Sequence, residues 1–152
     1  MFQVTGAGKF SQVLKDFQMQ DIYNGTKNMV VESVEGRVRE KDQAVDVDKP
    51  RVTFYKQGAV SSVLTAPKGV VAMNTHAVQV WGGVTVVTKG SSTTLTTESL
   101  RYDPKKQRFM TQDPVRLERA DSVTIGVGLD AEPDLSRVRI GREKVYVKRR
   151  ST

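Results

Sequence analysis

Val78-Gln-Val-Trp-Gly-Gly-Val-Thr-Val-Val-Thr88 decides the fold. Two alternating runs flank a glycine pair, and a period of two marks a strand with one buried face. The same alternation recurs in Phe17-Gln-Met-Gln-Asp-Ile22 and Ala44-Val-Asp-Val-Asp48. Gly, Pro, Asn or Asp interrupts these runs about every 8–12 residues, the spacing of a sandwich or barrel-like roll. Composition agrees: 24 Val and 14 Thr stand against 7 Leu and 3 Ile, a bias toward side chains that are stiff in a helix and pack well on a pleated surface. A chain of 152 residues has room for one contiguous core or one elongated repeat stack. Helical spacing shows only at Phe10, Val13, Leu14 and Phe17, so residues 1–16 are predicted to form an N-terminal arm or short helix.

Sliding the sequence over itself reveals an internal repeat. At an offset of 33, Val31, Ser33, Gly36, Val38, Ala44, Val45 and Val47 fall on Leu64, Ala66, Gly69, Val71, Ala77, Val78 and Val80. At an offset of 31, Leu64, Val71, Val78, Gly83 and Val84 fall on Leu95, Tyr102, Phe109, Pro114 and Val115, and a looser fourth copy runs from Val115 to Ile140. Each copy reads as a strand, a second strand near Leu-Thr-Ala or Leu-Thr-Thr, a turn, and a return strand ending in Gly-Gly or Asp-Pro. Such a unit cannot bury its apolar face alone, so copies stack. The fold class expected is all-β: a single elongated, twisted β-jellyroll of about four repeats of ~31 residues, open at both ends.

Several chemistries are disfavoured. There is no Cys and His76 is the lone histidine, which leaves no thiolate site and little for a zinc centre or a serine triad. Gly6-Ala-Gly8-Lys9 lacks the remaining residues of a phosphate loop, and Gly126-Val-Gly128 lacks the third glycine of a dinucleotide fingerprint. Asp46 and Asp48 share a strand face, read as solvated rather than metal-binding, and His76 is read as a surface turn residue. No nucleophile, base and oxyanion site assemble, so the expectation is no enzyme, no metal and no cofactor. No run reaches the roughly 20 apolar residues of a membrane span.

The net charge of +7 is placed unevenly. Residues 1–50 carry 7 basic and 8 acidic side chains, residues 51–100 carry 4 and 1, and residues 101–152 carry 13 and 8. Residues 57–96 hold only Lys68 and Lys89 as charges, which is unusual for strands with a wetted outer face. Small and β-branched inward residues suggest a slack apolar interior able to hold an acyl chain.

Leu95-Thr-Thr-Glu-Ser-Leu-Arg-Tyr-Asp103, Phe109-Met-Thr-Gln-Asp-Pro-Val-Arg-Leu117 and Val123-Thr-Ile-Gly-Val-Gly-Leu-Asp-Ala131 together resemble the periplasmic domain of the LptC family of lipopolysaccharide export, OstA-like and related to LptA and the N-terminal domain of LptD. Leu64-Thr-Ala-Pro-Lys-Gly69 and Val80-Trp-Gly-Gly-Val-Thr-Val86 fit the same pattern. The likeness covers residues 17–141 as the jellyroll and leaves 142–152 as a basic C-terminal segment. It implies a periplasmic carrier of lipid A that receives lipopolysaccharide from an inner-membrane ABC transporter complex and passes it to the soluble bridge protein LptA. It also implies a membrane anchor ahead of the domain, which this sequence lacks; trimming, or the role of soluble bridge member, would account for that.

Strand alternation and the repeat register then assign the lipid-facing residues: Val52, Phe54, Leu64, Ala66, Val71, Met73, Val78, Val80, Val84, Val86, Leu95, Tyr102, Phe109, Val115, Leu117, Ile125 and Val127. The last strands, Val138 to Ile140 and Val145 to Val147, are expected to form the edge that pairs with the next jellyroll. Two other classes remain open: a basic nucleic-acid-binding β domain, which explains the C-terminal charge but not the low-charge centre, and a ligand-free structural β-repeat module.

Overall fold

The computed structural model describes residues 12–148. Twelve antiparallel strands account for the regular structure, with no helix among the described residues. They are β1 (Gln12–Tyr23), β2 (Thr26–Arg39), β3 (Ala44–Asp48), β4 (Arg51–Lys56), β5 (Ala59–Thr65), β6 (Lys68–Ala72), β7 (Val78–Thr88), β8 (Thr94–Asp103), β9 (Arg108–Glu118), β10 (Ser122–Ala131), β11 (Val138–Ile140) and β12 (Lys144–Val147).

The pairing shows that some of these are halves of one bent strand. β2 pairs β4 through Met29–Glu32 and β3 through Gly36–Arg39. β7 pairs β6 through Val78–Trp81 and β5 through Thr85–Thr88. β10 pairs β12 through Ser122–Ile125 and β11 through Leu129–Ala131. Joining β3 to β4, β5 to β6 and β11 to β12 turns the twelve strands into nine rungs, each paired with its neighbours in sequence. The roll is therefore an up-and-down meander folded over along one line. Layer one holds the half-rungs that end at turns 24–25, 57–58, 89–93 and 119–121, and layer two those that end at 40–43, 73–77, 104–107 and 132–137.

Proline and glycine write the fold line into the sequence. Pro50 and Pro67 sit in the bends of the third and fourth rungs, where a residue without an N–H breaks the ladder at no further loss. In the fifth rung Gly82 and Gly83 take φ of 94° and 106°, and in the eighth Gly128 takes 88°, backbone shapes that favour glycine. Register shifts fall at the same places, between Trp81 and Val84, Thr97 and Arg101, and Val127 and Leu129. Polar groups near the bends find short hydroxyl partners: Ser33 Oγ lies 2.8 and 2.7 Å from the carbonyls of Glu35 and Asp48, and Thr97 Oγ1 donates to Pro114 O at 2.9 Å. Gly82-Gly83 and Asp113-Pro114, expected as strand ends, are thus mid-strand bends, and one repeat is two bent rungs.

The bends also change which parity faces inward. In β2 the alternating buried positions run Met29, Val31, Ser33 and then Gly36, Val38, with Val30 buried outside the core cluster. In β1, Asp16 has φ of 51°, and Leu14, Phe17 and Met19 all pack against the core. That switch is what made Val13, Leu14 and Phe17 imitate a helical period. They lie in β1, so no helix forms over residues 12–16; Phe10 lies outside the described residues. Among the described residues the strands already run from Gln12, ahead of residue 17, and include Lys144–Val147 from the expected basic tail.

The core lies between the layers. Val31, Val52, Leu64, Val86, Leu95 and Leu117 of layer one face Val45, Val71, Val78, Val80 and Leu100 of layer two, each at most 2% exposed. Repeat-equivalent residues take equivalent places: Val31, Leu64 and Leu95 point inward from layer one, and Val38, Val71 and Tyr102 from layer two. Gly36 and Gly69 match as well. An added Cβ would stand 2.9 Å from Val45 Cγ1 at Gly36 and 3.0 Å from Val80 Cγ1 at Gly69, so both positions let a neighbouring valine cross close to the backbone.

Candidate functional site

Fourteen of the seventeen residues assigned to the interior are there: Val52, Phe54, Leu64, Ala66, Val71, Val78, Val80, Val84, Val86, Leu95, Tyr102, Phe109, Val115 and Leu117 are all buried. Three are not. Met73 is 48% exposed because β6 ends at Ala72 and Met73 enters the turn, its N–H donating to Gln43 O. Ile125 and Val127 lie on the outer face, since Gly128 shifts the register and hands the inward places to Thr124, Leu129 and Ala131. The interior is also filled rather than slack. Phe54 from layer one stands edge-on to Tyr102 and Phe109 from layer two, with ring centroids 4.7 and 5.0 Å away, and these three rings occupy the space left by the small residues.

Opposite the fold line the two layers meet at a mouth. Lys56 Nζ, at the tip of layer one, bonds Asp134 Oδ2 at 2.7 Å from the β10–β11 turn of layer two. His76 Nδ1, in the β6–β7 turn, lies 2.9 Å from Asp21 Oδ1 in β1, so this half-buried histidine ties the layers at the N-terminal end. Partial burial raises the Asp134 carboxyl, but hydrogen bonds from Lys56 and Ser136 outweigh it and bring it to about 2. The Lys56 ammonium is raised in turn by Asp134. A cavity of about 110 Å³ opens beside this pair, lined by Phe54, Tyr102, Gln107 and Pro133 among others. Burial raises the Tyr102 phenol, with Asp21 and Asp103 adding to it.

Asp46 and Asp48 do not await a cation. Arg37 grips Asp48 through two nitrogens at 2.7 and 3.1 Å, Lys68 reaches Asp48 at 3.0 Å, and Arg39 holds Asp46 at 3.1 Å. With Lys15 on Glu35 at 2.6 Å and Arg37 on Glu35 at 3.1 Å, these charges form a ladder across β1, β2, β3 and β6 on the outer face of layer two. Hydrogen bonds from Arg37 and Lys68 hold Asp48 well below the usual carboxylate range, and Asp48 raises Arg37. Among the described residues no cluster of His, Asp or Glu could hold a metal ion, and no helix is long and apolar enough to cross a membrane.

A second concavity lies on the outer face of layer one. Cross-strand register sets Thr85 beside Thr96, Thr96 beside Arg116, Arg116 beside Ile125 and Ile125 beside Lys144. Thr85, Thr96, Arg116 and Ile125 each follow or precede a buried residue, so this row, which Lys144 continues by register, points away from the interior. Together with Pro114, Val127 and Arg142 it lines a groove of about 750 Å³. Sequence reasoning missed both the clasped mouth and this groove, because each depends on pairs far apart in the chain; the one signal was the absence of charge over residues 57–96.

The final rung forms the C-terminal edge. Ile140 is buried and Val138 partly so, whereas Val145 and Val147 are 55% and 79% exposed. Both β11 and β12 pair with β10, and no strand covers their other side among the described residues.

Comparison with curated proteins finds no significant match. Among solved structures the roll is similar to LptH from Pseudomonas aeruginosa, described as the LptA homologous periplasmic component of the lipopolysaccharide transport device, with a TM-score of 0.63 and 13% identity over 80% of this chain and 95% of that one. That likeness is one of fold. The family model described as lipopolysaccharide-assembly, LptC-related, matches residues 12–143, a span that begins with β1 and ends at the turn before the last strand. The chain therefore belongs to the LptC-related lipopolysaccharide-assembly family.

Proposed function

We propose that this chain is a periplasmic carrier of lipopolysaccharide, taking lipid A from an inner-membrane ABC transporter complex and passing it to the next jellyroll of a bridge such as LptA. The observation that carries this is the apolar seam between the layers, continuous from Met29 in the second rung to Ile140 in the ninth, with the fourteen buried residues named above lining its third to seventh rungs. Family membership supplies the substrate class. Because the rings of Phe54, Tyr102 and Phe109 fill the seam, acyl chains enter by parting the layers at the mouth. A chain of about a dozen methylenes buried there gains roughly 10 kcal/mol, enough to hold lipid out of water without a covalent step. The edges β1 and β11–β12 would join neighbouring rolls, with Val138, Ile140, Val145 and Val147 on the forward side.

A photo-crosslinking residue at Phe54, Leu64 or Phe109 is expected to capture lipopolysaccharide, and one at Arg101 or Gln79, which point outward from layer two, is not. Equal yields at both sets sink the interior route. The likeness to LptH favours a second reading, that the chain is itself the soluble bridge member; capture of a transporter component by the β1 edge decides between the two. The filled interior is the observation that favours a structural module without ligand, and absence of any lipopolysaccharide adduct is the result that reading expects.

A further inference from the structure

The β10–β11 turn, residues 132–137, is the longest of the four turns that end layer two, and it reaches across the mouth to layer one. It is braced within itself. The Glu132 N–H donates to Arg137 O at 3.1 Å and the Leu135 N–H to Glu132 O at 2.9 Å. The Ser136 hydroxyl lies 2.6 Å from Asp134 Oδ1 and 3.1 Å from Glu132 Oε2. Residues tied in this way form one stiff piece, and Pro133 stiffens it further by fixing its own φ.

Two contacts hold that piece on the mouth. One is the Lys56–Asp134 pair; the Lys56 side chain is 59% exposed, so water competes for it and the hold is weak. The other is Leu135, 3% exposed and part of the core cluster, which plugs the seam from the turn. Leu135 has φ of 57°, a left-handed backbone that a bulky residue rarely adopts, so burial of the side chain holds a strained residue in place. Withdrawing the plug relieves that strain and so lowers the work of opening.

The surroundings of the turn are loosely filled as well. The 110 Å³ cavity lies against Glu132, Pro133 and Asp134. A larger concavity of about 630 Å³ is lined by Asp134, Leu135 and Ser136 together with Lys89 and Arg119 of the layer-one turns. A segment held by one buried side chain and one exposed ion pair, with open space beside it, belongs to the part of a fold that opens locally.

We propose that residues 132–137 are a strap that gates the seam. It lifts off the mouth as a unit, Leu135 leaving the core and Lys56 releasing Asp134, while the rungs on either side stay paired. The proposal rests on the carrier reading for its purpose alone, the strap lying beside Phe54 and Tyr102. It names the piece that moves first where the layers part.

The chain has no cysteine, so single thiols report on single places. Leu135→Cys and, as a buried reference outside the strap, Leu117→Cys are treated with a maleimide in the full chain under native conditions. Position 135 is expected to be labelled at least about tenfold faster than position 117, at a rate that low urea hardly changes, because local opening exposes little surface. Adding Asp134→Asn is expected to speed labelling at 135 and leave 117 as it was. Should Leu135→Cys fail to fold, methyl relaxation dispersion of the unaltered chain gives the reading, with microsecond-to-millisecond exchange expected at Leu135 and none at Leu117. Equal labelling at the two thiols, or flat dispersion at both methyl groups, overturns the strap. With the photo-crosslinking residue at Phe54, Asp134→Asn is further expected to raise the initial rate of lipopolysaccharide capture on the order of twofold. An unchanged rate overturns the gate. Absence of any capture at Phe54 counts against the carrier reading instead, and labelling decides the strap by itself.

Discussion

The rings of Phe54 and Phe109 stand 86° apart with centroids separated by 5.0 Å, although one belongs to the third rung in layer one and the other to the seventh in layer two. The contact crosses the seam, so it reports on the packing of layer against layer rather than strand against strand. Phe109→Ala is expected to cost about 3–5 kcal/mol of unfolding free energy, because a large buried ring is lost and its neighbours collapse only in part. Urea unfolding measures it; a loss under about 1 kcal/mol shows that the rings do not bind the layers.

Ser62 is fully buried and its hydroxyl has no hydrogen-bond partner among the described residues. Replacing it by alanine removes an unsatisfied polar atom from the interior. Ser62→Ala is therefore expected to leave the unfolding free energy measured in urea unchanged or raise it, by up to about 1 kcal/mol. A clear fall would mean that the hydroxyl is satisfied in solution.

The Lys56–Asp134 pair predicts an acid response. The Asp134 carboxyl is at about 2 in the fold, below its unfolded value near 4. Its contribution is therefore complete above about pH 4 and disappears as pH falls through 2. Lys56 is largely exposed, so solvent screening keeps the effect small. Wild type and Asp134→Asn are expected to differ in urea stability at pH 6 and to converge near pH 2. A gap that stays constant over this range removes the carboxylate as its cause.

Two glycines are expected to resist alanine for different reasons. At Gly69 the new Cβ stands 3.0 Å from Val80 Cγ1 and 3.2 Å from Gln79 O, so the neighbouring rung must give, at about 1–3 kcal/mol. At Gly83 no described residue beyond its chain neighbours lies within 4 Å of the added Cβ, but φ is 106°, and the cost is backbone strain of about 1–3 kcal/mol. Combining Gly69→Ala with Val80→Ala separates the cases: the paired truncation relieves the crowding at Gly69, whereas no neighbour's truncation relieves Gly83. Simple additivity at Gly69 and Val80 contradicts the crowding argument.

How far the sequence discloses this fold depends on the distance over which each cue acts. The alternation of β7 and the matches of Val31 with Leu64 and Leu95 are carried by neighbours and by a repeat, so strands, repeat and most of the core were legible. The bends were not, because Pro67 and Gly82-Gly83 send the same local signal at the end of a strand as in its middle; only pairing on both sides tells the two apart. Ile125 and Val127 were misplaced for that reason, since alternation counted through Gly128 reverses faces. The Lys56–Asp134 clasp and the groove of Arg116, Arg142 and Lys144 join distant rungs, and beyond the charge-poor stretch 57–96 no local pattern announces them.

The described rungs are odd in number, and this fixes the polarity of the two edges. The first rung runs from layer two at Gln12 to layer one at Tyr23, and the ninth runs the same way, from Val138 to Val147. A second roll of this design, continuing the first with its layers aligned, must therefore meet it through a parallel ladder, although every pairing inside the roll is antiparallel. Parallel pairing spaces its hydrogen bonds evenly and slants them, and it is slightly weaker per residue. The joint between two such rolls is thus chemically unlike any joint within one, and a chain built this way parts more readily between rolls than through them.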